Sequence, residues 1–311
     1  GIAYHEKKLG QLFCDHSAHD IVDMLLDEAA KAGVQIRLKS EVCKVIPDAS
    51  GFRVNVTKST GKTAIDTYAL DAPRVVLASG GLSLPKIASD LAYRTARELG
   101  VSVVAPSPAL VPLTWNNADK AEFAELSGVA VDCEISSSGQ SFRENLLFTH
   151  RGLSGPAILQ ASSYWHPGED VNINLLPEHD VLAWLHQMRQ DRGKILLSNA
   201  LKGLLPNRLV EAVIDRWFDD QTLGDMSAAQ CEQVARQLQA WRFRPGGTEG
   251  YRTAEVTLGG LATTEFSSKS FEAKNYPGLY AIGEALDVTG WLGGYNFQWA
   301  WASGYCCAKQ L

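Results

Sequence analysis

The sequence predicts an α/β protein that carries a β-rich insertion. A discontinuous α/β domain is expected over about 1–104 and 265–311, with a barrel-like β domain inserted over 105–176 and 242–264. A helical subdomain over 177–241 interrupts the insert in turn. Three observations lead there. Two short apolar strands, Val75–Ser79 and Leu279–Ile282, run straight into glycine, as strands buried in a parallel sheet do. Pro106, Pro108 and Pro112 mark a crossing, after which Val129–Ile135, Phe142–Phe148 and part of Val171–Leu176 alternate with period two. Val181–Gln190, Arg208–Phe218 and Ala228–Leu238 then follow the helical period of 3.6.

Along the chain, Tyr4–Leu9 and Gln11–Cys14 flank Gly10 and read as a hairpin. Ser17 caps a helix whose apolar positions are Ala18, Ile21, Val22, Leu25, Leu26 and Ala29, and Gly33 ends it. Val34–Leu38 and Glu41–Ile46 read as strands. Phe52–Lys58 alternates Phe52, Val54 and Val56 against Arg53, Asn55 and Thr57, and Ala64–Leu70 completes a small antiparallel meander. Ile87–Leu99 is helical up to Gly100, and Val101–Val104 is a strand. In the helical segment Trp184, Leu185, Leu209, Val213, Trp217, Val234 and Leu238 are core candidates, with Ser227 capping the last helix. Thr253–Leu258 is a strand that returns the chain to the α/β domain.

With 311 residues, 45% hydrophobic and 21% charged, the chain has room for two or three cores. A net charge of -6 without a basic stripe argues against an electrostatic partnership with nucleic acid. No uncharged apolar run is long enough for a spanning helix, so no membrane partner is expected. Cys14, Cys43, Cys133, Cys231, Cys306 and Cys307 form no C-x-x-C and no zinc-spaced cluster with histidine. Reduced thiols, no bound metal and a cytoplasmic setting follow as expectations.

The stretch from Leu279 to Leu311 is the most informative. Its apolar strand enters Gly283-Glu284, and a loop containing Asp287 leads to Gly293-Gly294-Tyr295-Asn296 and a terminal helix. Glycines at a helix start let a ligand come close to the backbone, while first-turn N–H groups and the helix dipole favour negative charge. Val75–Ser79 ends in Gly80-Gly81 and Thr253–Leu258 in Gly259-Gly260, so three strand–glycine junctions occur in order. This triplet closely resembles the signature segments of the two-dinucleotide-binding-domain flavoproteins. Its D-V-T-G-W-L-G-G-Y-N-F-Q-W-A-W form, Asp287 to Trp301, resembles the HI0933-like (BaiN/YhiN-type) branch. The resemblance implies a discontinuous Rossmann-like FAD-binding domain, with cofactor contacts at Val42, Ser79, Gly80, Gly81, Gly259, Gly260, Gly283, Glu284, Asp287, Gly293, Gly294, Tyr295 and Asn296. Glu284 is preferred to Asp287 beside the ribityl chain or pyrophosphate, and Gly259-Gly260 is expected to pass close to the flat ring. Flavoproteins of this class open on a strand, a G-x-G-x-x-G turn and a helix. No G-x-G-x-x-G occurs here, so that βαβ unit is expected to be missing.

Within the insert, Phe148 to Pro156 is the richest polar stretch. His150 is a candidate general acid, Arg151 a candidate clamp for carboxylate or phosphate, and Arg252 a candidate for the same cleft. An ordinary turn histidine and an interdomain salt bridge account for the same residues. Trp299 and Trp301 are read as core packing in preference to ring stacking. The resemblance implies an FAD-dependent oxidoreductase acting on a small organic substrate, with NAD(P)H as a further electron donor. The alternatives are a flavin-binding protein with a non-redox regulatory or RNA-related role, and an inactive fragment of the enzyme.

Overall fold

A computed structural model describes residues 1–7, 10–59 and 65–311. Leu9 and Ala64, ends of two predicted strands, lie outside the described residues. The chain divides into two compact units. The first comprises Gly1–Gly81, Ser89–Ala105 and Gly259–Leu311, and the second Leu82–Ala88 and Pro106–Leu258.

The first unit begins with a hairpin of β1 (Tyr4–Glu6) and β2 (Leu12–Cys14). Helix α1 (His19–Lys31) starts where the Ser17 hydroxyl accepts the His19 N–H at 3.1 Å, and ends at Gly33 with φ 71°. Its apolar stripe has the predicted spacing but buries no residue. Val34–Leu38 is not a strand: no ladder forms along it, and Val34, Ile36 and Leu38 are exposed. An extended segment without a neighbour has nothing to satisfy its N–H and C=O groups except water.

The meander forms as β3 (Ser40–Asp48), β4 (Gly51–Ser59) and β5 (Ile65–Ala72), all antiparallel, with Val45, Phe52 and Val56 buried. Asp48 holds its first turn by accepting from the Ser50 N–H and hydroxyl at 2.7 and 2.8 Å. Those two bonds hold the Asp48 carboxyl below its usual range. Strand β6 (Val75–Leu77) follows. Helix α2 (Leu91–Glu98) starts four residues later than its periodicity suggests. The delay has a local cause: Leu84 takes a left-handed φ of 58°, and the Ser89 hydroxyl accepts the Leu91 N–H at 3.2 Å. Strand β7 (Val103–Ala109) carries the chain into the second unit.

That unit is an antiparallel sheet with helices packed on it. It contains β8 (Leu113–Thr114), α3 (Asn117–Phe123), β9 (Ala130–Ser137), β10 (Gln140–Phe148), β11 (Gly152–Ser154), α4 (Pro156–Ser162) and β12 (Val171–Asn174). Helices α5 (Val181–Arg192), α6 (Leu197–Leu201), α7 (Asn207–Trp217) and α8 (Ala228–Gln239) lead to β13 (Trp241–Phe243) and β14 (Gly247–Thr248). The strand order is β13-β12-β9-β10-β11-β8-β14. Its two edges, β13 and β14, are therefore consecutive in sequence and separated only by residues 244–246. Such a link spans at most about 14 Å at roughly 3.4 Å per residue. The sheet must curl until its edges nearly meet, which is a barrel. The Asn116 amide closes the seam by donating to the Arg244 carbonyl at 2.8 Å, and the Gly246 N–H donates to the Thr114 carbonyl at 3.0 Å.

Helices and sheet share one hydrophobic cluster. Trp241 of β13 lies 5.2 Å from Phe123 of α3 and 5.4 Å from Trp217 of α7, measured between ring centroids. Ser227 caps α8 reciprocally with Gln230, as a capping box does. The chain then returns through β15 (Val256–Leu261), which pairs with β7, to β16 (Leu279–Ala281) and α9 (Tyr295–Ala308).

Gly152 offers a test of the barrel's tightness. A Cβ there would stand 1.9 Å from the Leu113 carbonyl oxygen of the neighbouring strand, whereas Gly168, with φ 91°, has open space around it. Gly152→Ala is expected to lower stability by about 2–3 kcal/mol, and Gly168→Ala by only about 1 kcal/mol of left-handed strain. Urea unfolding of both variants is the measurement, and equal losses would refute the close β8–β11 contact.

Candidate functional site

The site's frame is the parallel pair β6 and β16. Val75, Val76 and Leu77 stand opposite Leu279, Tyr280 and Ala281, and the Ile282 N–H donates to the Leu77 carbonyl at 3.1 Å. Continued by two residues, that register sets Ser79 beside Gly283. Ser79-Gly80-Gly81 and Gly283-Glu284 thus leave the sheet at the same carboxyl end, where open α/β sheets hold their ligands. β15 joins them through a parallel bridge between Leu261 and Leu286, with the Asp287 N–H donating to the Leu261 carbonyl at 2.9 Å.

Gly259 and Gly260 are explained by this packing. Added Cβ atoms would meet the Ala105 carbonyl oxygen at 2.6 Å and the Ala285 carbonyl oxygen at 2.8 Å. At these two positions the missing side chains leave room for neighbouring protein backbone.

Gly283 takes a left-handed φ of 62°, and α9 holds it on both sides. Its N–H donates to the buried Ser303 hydroxyl at 2.9 Å, and its carbonyl accepts from the Trp299 indole at 3.0 Å. The Trp299 ring also meets Phe271 edge-on at 5.7 Å. Trp299 therefore positions the strand end, while Trp301 is exposed and is not core. The start of α9 is fixed by Asn296, which accepts from the Gly290 N–H at 2.7 Å and donates to its carbonyl at 3.0 Å. Gly293 and Gly294 stand at φ 118° and 89°, and no atom lies within 4 Å of the place a Gly294 Cβ would take. Tyr295 is exposed, and Glu284 and Asp287 are half-buried.

Two observations bear on whether these residues fit a dinucleotide. The Ser79 Oγ is buried and makes no hydrogen bond among the described residues. Gly80, at φ 70°, also has open space where a Cβ would stand. An unsatisfied hydroxyl and two left-handed glycines with uncovered backbone suit a ligand rich in acceptors. Val42 sits apart in the meander, at a bulge where its carbonyl and that of Cys43 face the Arg94 guanidinium at 3.5 and 3.4 Å.

In the second unit His150 is exposed in a turn that Thr149 organises: its hydroxyl donates to the Gly152 carbonyl at 2.9 Å and accepts the Gly152 N–H at 3.1 Å. Arg151 and Arg252 meet on one group, each 3.2 Å from Glu249 Oε2. Sequence reasoning missed Glu249, Ser303 and Thr257, and read Trp299 as core packing. The Thr257 hydroxyl accepts the N–H groups of Leu82 and Ser83 at 2.7 and 3.1 Å, so the threonine before Leu258-Gly259-Gly260 was the available signal. Cys133 is buried, and desolvation pushes its thiol up to about 12, leaving it protonated and unreactive. Among the described residues no group of His, Cys, Asp and Glu has metal-site geometry, and no helix is long and apolar enough to cross a membrane.

Residues 107–256, nearly all of the barrel and its helices, match the family described as HI0933-like protein barrel and H2TH domain. A ribosomal RNA dihydrouridine synthase of Escherichia coli is 49% identical over the whole chain, which covers 76% of that protein. The chain belongs to the HI0933-like family. A second ribosomal RNA dihydrouridine synthase, from Haemophilus influenzae, is 45% identical over the whole chain, covering 77% of its own length. A 3-dehydro-bile acid delta(4,6)-reductase of Clostridium scindens is 28% identical over 89% of the chain and 71% of its own length. These family members are enzymes, and the two at higher identity carry ribosomal RNA in their names. They overturn two expectations, that the substrate is a small organic molecule and that no nucleic acid is a partner. Whole-chain charge misled because phosphate recognition depends on where the guanidinium groups stand, not on their sum.

The helix start gives a direct test. Gly294→Val would place a β-branched residue at φ 89°, at a strain cost of about 1–2 kcal/mol, and would crowd the uncovered backbone. Flavin retention, read as visible absorbance per mole of purified protein, is expected to fall at least about tenfold. Glu284→Gln keeps a hydrogen-bonding group and is expected to lose less. Equal retention by the two variants would remove the α9 start from the cofactor site.

Proposed function

We propose that this protein is a flavin-dependent enzyme that reduces uridine in ribosomal RNA to dihydrouridine, with FAD as its cofactor and NAD(P)H as the electron donor. The observation that carries the reading is the 49% and 45% identity, over the whole chain, to two ribosomal RNA dihydrouridine synthases. The joined carboxyl ends of β6 and β16 support it from the side of the fold, as a Rossmann-like cradle.

In this reading Ser79 donates its unsatisfied hydroxyl to the dinucleotide, and Gly80 and Gly81 let the backbone come close. Glu284, with Gly283 fixed by Ser303 and Trp299, would help to hold the ribityl–pyrophosphate part of the cofactor. The first-turn N–H groups of α9, at Tyr295 and Asn296, would offer the cofactor a positive end that favours negative charge. A reduced flavin, when bound, supplies a hydride equivalent. Converting uracil to dihydrouracil takes a hydride at C6 and a proton at C5, so a proton donor must stand near C5. His150, exposed and one residue from the Arg151–Glu249 pair, is the candidate.

The test is chemical. Purified protein with FAD and NADPH is incubated with ribosomal RNA from cells lacking the activity, and nucleosides from the digest are resolved by mass spectrometry. Dihydrouridine is expected, and His150→Gln should lower its rate about 10²-fold with cofactor absorbance retained. Flavin-loaded protein that oxidises NADPH yet leaves every uridine unreduced would reject the proposal.

A further inference from the structure

The barrel seam carries the most concentrated positive charge described above. Arg242 and Arg244 share Asp170, at 2.5 and 2.6 Å, and Arg151 and Arg252 share Glu249. Both carboxylates are mostly covered, 14% and 10% exposed, while the four arginine side chains are between 44% and 71% exposed. One arginine would neutralise each carboxylate; here each holds two. The two clusters keep a local surplus of two positive charges on a chain whose net charge is -6.

The geometry favours an outward-facing function over mere bracing. A guanidinium carries five N–H donors, and each of these is tied to its carboxylate through a single atom. The remaining donors are free of the shared carboxylate, on side chains already oriented from below, so little rotamer entropy is lost when a ligand arrives. Arg244 also holds Asp170 ionised by donating to it, so the brace persists as a charged group. Arg244 and Glu249 are five residues apart along the segment that closes the barrel, a span of at most roughly 17 Å. Planar forked donors repeated over that distance match a chain of phosphates better than one small anion.

We propose that this seam, marked by Arg242 and Arg244 on Asp170 and by Arg151 and Arg252 on Glu249, binds the phosphate backbone of RNA. The proposal rests on the ribosomal RNA reading and adds to it the surface that holds the substrate. It is tested by binding deproteinised ribosomal RNA to the full chain over a range of salt concentrations. Each phosphate contact contributes about 0.7–0.9 to the slope of log K against log salt. Arg242→Gln/Arg244→Gln is expected to flatten the slope by between one and two contacts and to weaken binding at least tenfold, with an unchanged circular dichroism spectrum. Arg242→Lys/Arg244→Lys keeps the charge and should restore most of the slope. Asp170→Asn/Arg242→Gln/Arg244→Gln leaves no orphan carboxylate and serves if the double variant folds poorly. Unchanged affinity and slope in the glutamine variants, with RNA still bound and reduced, would overturn the seam and leave the enzyme reading standing. Wild-type protein that ignores ribosomal RNA even at about 50 mM salt would overturn both.

Discussion

The site depends on one ladder, the in-register parallel pairing of Val75–Leu77 with Leu279–Ala281. These strands are some 200 residues apart in sequence, yet their pairing alone brings Ser79-Gly80 beside Gly283-Glu284. A slip of one residue would turn every side chain of β16 to the opposite face and separate the two glycine-bearing ends. Leu77 and all of Leu279, Tyr280 and Ala281 are buried, so the pair is covered by protein on both faces of β16. Helix α9 locks the outcome by binding both backbone polar groups of Gly283 through Trp299 and Ser303.

The second unit depends on a different constraint, the short connection between β13 and β14. Three residues cannot join opposite edges of a flat seven-stranded sheet, so the connection forces closure. Trp115, the residue after β8, packs in one cluster with Phe148 of β10, Trp241 and Phe243 of β13 and Phe123 of α3. Trp217 of α7 enters the same cluster, so helices and sheet are stabilised together. The seam that closes the barrel is also where the paired arginines gather, so the polar surface there is a product of topology.

Net charge proved a poor guide for a physical reason. At the ionic strength of a cell, charges more than about 8 Å apart are largely screened, so a phosphate responds to its near neighbours. The acidic residues that set the total of -6 include Asp48, Asp71 and Asp132, held by their own hydrogen bonds to Ser50, Arg53 and Arg143. What counts locally is the surplus at the seam.

By itself the sequence determined the element types. The two-residue period of Phe52–Lys58, Val129–Ile135 and Phe142–Phe148 produced strands, and the capped 3.6-residue pattern after Ser227 produced a helix, because these signals are local. Gly294 at a helix start was legible too, since few residues other than glycine take φ near 89° readily. Tertiary structure alone decided the rest. Val34–Leu38 has strand composition but pairs with no strand among the described residues, and the α1 stripe has helical spacing but buries no residue. That the backbones of Ala105 and Ala285 lie against Gly259 and Gly260 is visible only in the fold. Arg151, Arg242, Arg244 and Arg252 are scattered in sequence and become clusters only when Asp170 and Glu249 are brought beneath them. A residue's own conformational preference is written in the chain, whereas which surface it faces depends on contacts between segments far apart in sequence.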